Sequence, residues 1–226
     1  MTTSKLPIPR SVSALAWIPG IALALAASWL LANWSRVPAS WPVHYGPTGE
    51  PDGWTHKSIG AGFAPIFIGA FIWILLEFAT AASLQQKHDA SVVPVTVAGV
   101  RLGRLVTAAI AVLCASLAVS MPFVADLGLW FVVPFVGVFV AAGVGIHGIH
   151  RALKQTRKEH PEVHAGYNAI YYFNRDDDRL WVPKISGLGY TINFAHKRAW
   201  LTMAVLLVVP LTAGAIGLVS AILAAR

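Results

Sequence analysis

Between two long apolar stretches, the segment "WPVHYGPTGEPDGWTHK" (Trp41–Lys57) gathers His44, Glu50, Asp52 and His56 beside two tryptophans. Imidazoles and carboxylates supply donors, lone pairs and, when ionised, opposite charges. Grouped this closely they have the chemistry to hold a cation or a peptide. They lack the His-x-x-x-His or His-Glu-x-x-His spacing that aims two ligands from one helix face, so no metal is expected. Pro47-Thr48-Gly49 and Pro51-Asp52-Gly53 add turn chemistry, with proline presetting φ and glycine accepting positive φ. Two readings stand: a rigid turn holding Trp41 and Trp54 at a membrane interface, or a recognition surface.

Elsewhere the chemistry is sparse. Glu77 lies inside "FIWILLEFAT", and a carboxylate in hydrocarbon is costly enough to need a named partner. His147 and His150 are expected at similar depth, which suggests a Glu77–His147 pair able to relay protons, or a structural pair near the interface. Asp176-Asp177-Asp178 lacks the alternating spacing of a calcium loop. It reads as a solvated turn whose acids pair with Arg175 or Arg179. The single cysteine, Cys114, has no Cys-x-x-Cys company and reads as a small packing residue. No nucleophile elbow, P-loop or dinucleotide fingerprint is present. Neither enzymatic activity nor a cofactor is expected.

The elements that must position these groups are membrane helices. Of 226 residues, 56% are hydrophobic and only 12% are charged, against about 25% charged in ordinary soluble domains. Five stretches reach the roughly 20 apolar residues that a bilayer requires: Val12–Trp34, Ile59–Ala82, Leu105–Val124, Leu127–Ile149 and Trp200–Ala224. Pro19, Pro65, Pro134 and Pro210 fall in or near four of them and predict kinks. The first is too long for a signal-peptide core and is expected to remain as an anchor. The expected fold is an all-α integral membrane protein, a five-helix transmembrane bundle with a small β-containing cytoplasmic insert between helices 4 and 5.

Charge gives the orientation. Of 17 Lys and Arg, only Arg36, Lys57 and Arg226 fall on one side of this topology. The positive-inside rule then places the N-terminus in the cytoplasm and the C-terminus outside. The net charge of +7 is absorbed by that asymmetry, so no nucleic-acid partner is implied. The lipid bilayer is the partner that composition requires. Spans three and four are joined tightly enough to form an antiparallel hairpin. The connection from Arg151 to Ala199 opens with "RALKQTRKEH", which extends the fourth helix out of the bilayer until Pro161 ends it. "YYFN", "RLWVPK" and "GYTINF" then predict a small two- or three-stranded element.

Two segments carry a resemblance. "VPASWPVHYGPTGEPDGWTHK" resembles the segment following the first span in bacterial SdpI-type immunity proteins, and in a broad set of membrane proteins with a domain of unknown function. Pro42, Val43, His44, Tyr45, Gly49, Asp52, Gly53, Trp54 and Lys57 fall on its pattern. The insert is similar to a second module of unknown function through Tyr172, Asn174, Asp177, Arg179, Val182, Pro183, Lys184, Gly187, Gly189, Tyr190, Thr191 and Asn193. The first resemblance implies resistance to a secreted peptide toxin and recruitment of a cytoplasmic repressor, although the repressor-binding type lacks such an insert.

The chain therefore divides into an SdpI-type module (1–82, with loop 35–58), a helix pair (83–150), the insert (151–199) and a final helix (200–226). The expected protein sits in a bacterial inner membrane and serves immunity or envelope signalling, binding a peptide outside or a protein inside. The alternatives are an accessory subunit of a larger membrane complex and a small proton-linked transporter using Glu77 and His147.

Overall fold

The computed structural model describes residues 8–46, 50–85, 90–124, 129–161, 166–167, 171–185, 189–208 and 212. Gly49, Gly187 and Pro210 lie outside them. The first apolar stretch divides into α1 (Arg10–Leu15) and α2 (Ile18–Ala32). Pro19 sits in the first turn of α2, where its missing N–H costs nothing, so the stretch breaks at Ala16–Trp17 instead of kinking. A hairpin of β1 (Ser40–Tyr45) and β2 (Pro51–His56) leads to α3 (Ile59–Leu84). α4 (Val93–Ser120) and α5 (Leu129–Glu159) follow, then β3 (Trp181–Pro183), β4 (Tyr190–Ile192) and α6 (197–208).

Among the described residues, four helices are long and apolar enough to cross a membrane: Arg10–Ala32, Ile59–Ala82, Val93–Ser120 and Phe131–Glu159. The fifth expected span opens as α6, and its remainder falls largely outside the described residues. α4 starts twelve residues before the expected Leu105. Pro94 takes the first turn, and Arg101 and Arg104 ride inside the helix because Arg101 is exposed and Arg104 finds a partner.

α4 is the hub, touching α1, α2, α3 and α5. Its buried positions Thr107, Ala108, Ala111, Cys114 and Ala118 recur at helical spacing and are small, which lets neighbouring backbones approach closely, as membrane packing favours. Cys114 is free and buried among them. A Cβ on Gly69 would lie 3.0 Å from the Cys114 Cβ, and one on Gly145 would lie 2.9 Å from the Leu102 Cα. These contacts seat α3 and α5 against α4. The order of contacts is antiparallel from α2 to α3 and from α3 to α4, because Gly20 meets Trp73 while Gly62 meets Trp34 and Leu30, and Gly69 meets Cys114 while Glu77 meets Arg104. The β1–β2 hairpin and the insert consequently emerge at opposite ends of the bundle.

α5 has 31 residues, about 46 Å of helix against a hydrocarbon core of roughly 30 Å. Its basic tail leaves the apolar zone and stops at Glu159, shortly before Pro161, as the sequence predicted. Most of its apolar surface is open: Val133, Phe139 and Val140 are each about 60% exposed.

Candidate functional site

Three polar constellations stand out. The first is the β1–β2 hairpin, two paired strands in the stretch where a rigid turn or a recognition surface is expected. Trp41 pairs with Thr55 and Pro42 with Trp54; Val43 is then skipped, so that His44 faces Gly53. This bulge is the kind of irregularity that re-aims a side chain. It carries the His44 Nδ1 onto the Asp52 carboxylate as an exposed hydrogen-bonded pair. Gly53 is required opposite His44, since a Cβ there would lie 2.8 Å from the His44 Cβ. Tyr45 pairs with Pro51 and is half-buried.

The hairpin is anchored at its base. The Lys57 ammonium donates to the carbonyls of Trp34 (2.7 Å) and Val37 (3.0 Å) and lies 5.3 Å from the centre of the Trp34 ring. It thereby ties β2 to the short turn Trp34–Arg36 that follows the first membrane helix, sharing the Trp34 carbonyl with the Val37 N–H. Trp41 is only 3% exposed and joins the bundle core with Leu30, Val37 and Phe63. Trp41 is thus a core residue, contrary to the expectation of an interfacial one, because the hairpin lays this face against the helices. Trp54, at 61% exposed, projects away.

The second constellation lies inside the bundle and corrects the expected Glu77–His147 pair. Glu77 pairs with Arg104 through two guanidinium nitrogens, Nη2 and Nε, the latter at 3.4 Å. α3 runs antiparallel to α4, and this brings Glu77 to Arg104, whereas His147 and His150 are exposed on α5. The same guanidinium donates from Nη1 to the Val12 carbonyl at 3.1 Å. That carbonyl is free because the Ala16 N–H turns back to Ser13. The Trp73 indole donates to the Ala16 carbonyl at 3.1 Å. Both side chains therefore satisfy backbone groups released at the α1–α2 break, as a helix break in lipid demands. This is a structural lock, and the relay geometry between Glu77 and His147 is absent. Arg104 directly precedes the expected start of the third span at Leu105 and so reads from the sequence as a cation outside it, and nothing in the sequence marks Trp73.

The third is the insert. Asn193 is fully buried and uses its whole amide: Oδ1 accepts from the N–H of Asn174 (3.0 Å) and of Ala195 (3.2 Å), and Nδ2 donates to the carbonyls of Asn174 (2.7 Å) and Asp177 (2.9 Å). The Asp177 carboxylate accepts from the Arg179 side chain at 2.7 and 2.9 Å, from the Arg179 N–H and from the Tyr172 hydroxyl. Arg179, by side chain and backbone, holds the Asp177 carboxyl well below its usual range, and the carboxylate pushes Arg179 up in return. Burial pushes the Tyr172 phenol up. The expected solvated acidic turn with an arginine partner is thus found, with Asp177 and Arg179 as the pair.

His196 Nε2 donates to the Asp177 carbonyl at 2.7 Å, and the Trp200 indole donates to the Phe194 carbonyl. These bonds fasten the start of α6 to the insert. The β3–β4 pair is closed by Lys184 N–H bonding to the Gly189 carbonyl, with Gly189 at φ +78°. Pro183 accepts from the Tyr167 hydroxyl through its carbonyl at 2.7 Å. Most of the residues shared with the second module of unknown function therefore build the fold. Those left outward include Lys184 and Tyr190. Among the described residues, no group of three or more His, Cys, Asp or Glu is placed to hold a metal ion.

The fold defines a multi-pass helical membrane protein with a hairpin at one end and a small β insert at the other. Residues 21–69, from α2 through the hairpin into α3, match the domain of unknown function DUF1648. Residues 175–200 match the family of unknown function DUF5808. No curated protein and no solved structure matches the chain significantly.

Proposed function

We propose that this protein is a non-catalytic recognition protein of a bacterial inner membrane, with the β1–β2 hairpin outside and the insert inside. The observation that carries the reading is the hairpin's construction. Lys57 and Trp41 fix its base to the bundle, while the His44–Asp52 pair and the Trp54 ring are held outward. A rigid exposed aromatic beside a polar pair resembles the anchors that dominate protein recognition, since little ordering entropy remains to be lost. A peptide in the envelope is the partner this surface fits, in an immunity or envelope-signalling role. The excess of Lys and Arg toward the insert end supports the orientation. A cytoplasmic protein docking on the insert would complete a signalling path.

The test is protection of cells from membrane-active peptides in supernatants of competing bacteria. His44→Ala and Asp52→Ala should each lose protection while their amounts in the membrane stay normal. Unchanged protection in both variants sinks the reading. A second reading, an accessory subunit of a larger membrane complex, is favoured by the open apolar face of α5. Integral subunits recovered with the protein in fixed ratio would select it.

A further inference from the structure

The insert and α6 enclose a groove of about 740 Å³ that none of the readings above uses. Trp181, Tyr190 and Phe194 line it from the insert, and Trp200, Met203 and Leu206 from α6. Its rings are arranged edge-to-face, with Phe194 and Trp200 centred 5.4 Å apart at 65°. Trp181, Tyr190 and Trp200 are 52%, 65% and 63% exposed, so the wall is open to whatever lies beside it. Lys184 lines the same groove, and Lys197 and Arg198 are exposed in the first turn of α6.

The geometry points to a phospholipid site, in which an anionic lipid of the leaflet beside the insert lays its acyl chains along the groove and its phosphate among these three cations. Three observations select this occupant. The groove is continuous with α6, whose Leu201, Val205 and Leu207 are also exposed and which opens the apolar run to Ala224. A groove floored by a helix entering hydrocarbon begins at head-group depth and points into the acyl region. Tryptophan and tyrosine are the side chains favoured at that depth, each having an apolar body and a polar edge. Lys197 and Arg198 lie in the first turn of α6, about two turns before Leu206, and Lys184 lines the groove, and anionic lipids draw basic residues to such places. The bonds from His196 to Asp177 and from Trp200 to Phe194 hold the walls in position without a ligand. Lipid bound here would fix the insert flat against the bilayer, independently of what the hairpin recognises.

The test uses the full chain with benzoylphenylalanine replacing Tyr190, irradiated in nanodiscs of mixed phosphatidylcholine and phosphatidylglycerol and again in native membranes. A second variant carries the same label at Phe139, on the open face of α5, as a measure of bulk lipid. Position 190 should yield phospholipid adducts enriched in phosphatidylglycerol about fivefold over position 139. Lys184→Glu, an exposed change, should remove the enrichment while hydrogen exchange across 172–193 stays as in the parent. Adducts at 190 that merely follow bulk composition, or enrichment that survives Lys184→Glu, overturn the site. So does crosslinking of position 190 to a protein in native membranes.

Discussion

At the scale of single residues, the question is which charges are held and which are free. Arg104 is 10% exposed and Glu77 32%. A carboxylate stranded in a bundle escapes by taking a proton, but a guanidinium remains charged under all ordinary conditions. Glu77→Leu should therefore destabilise the protein more than Arg104→Leu, by about 3 kcal/mol for the worse of the two. The double variant should recover the part due to the unpaired charge and keep the part due to the Val12 carbonyl, which loses its Arg104 donor. Thermal unfolding in detergent measures all three, and equal losses from the two single changes would contradict the lock.

Asp177 makes a pH prediction at the same scale. Its carboxyl is lowered by Arg179 from the ordinary 3.8, so the native insert keeps it ionised where an unfolded chain would protonate it. The stabilisation is fully present above that ordinary value and is lost as pH falls through the lowered one. Hydrogen-exchange protection across 172–193, corrected for intrinsic rates, should show no step from Asp177 between pH 7 and about pH 5. It should fall only in stronger acid. In Asp177→Asn protection should be reduced throughout that range.

At the scale of elements, packing against α4 is decided by small residues. Gly145 faces Leu102, whose Cβ would lie 2.8 Å from an added Cβ, whereas an added Cβ on Gly143 meets nothing within 4 Å. Gly145→Val should destabilise the protein by about 1–3 kcal/mol, the usual range for overpacking, and Gly143→Val should leave it nearly unchanged. The comparison removes helix propensity as an explanation, since both changes make the same substitution in one helix. The α1–α2 break teaches a related lesson. Pro19 marks the break, but only the Arg104 and Trp73 donors of other helices make it tolerable in lipid.

At the scale of the whole molecule, the hairpin and the insert occupy opposite ends, and Cys114 is buried. A membrane-impermeant maleimide should therefore label His56→Cys, an exposed position of β2, only from outside intact cells and Lys184→Cys only after the membrane is opened. Labelling of both from one side would overturn the orientation drawn from Lys and Arg. The transporter reading also belongs to this scale. It required Glu77 and His147 on facing helices, and the bundle places Arg104 there instead.

Four of the five expected membrane spans, the basic extension of α5 to Glu159 and the presence of two small modules were legible in the sequence alone. Those follow from local quantities, namely apolar run length, charge and turn chemistry. The β1–β2 hairpin was half legible: Trp41, Val43 and Tyr45 alternate, but Pro42 and Pro51 argued against strands. Three features come from the tertiary fold: Lys57 fastens the hairpin to the turn after the first membrane helix, Asn193 is the buried knot of the insert, and Glu77 belongs to Arg104. Each of these depends on groups distant in the chain arriving at one place. In a uniformly apolar sequence, helix order and rotation are set by close packing of small residues, and run length carries no record of which face meets which neighbour.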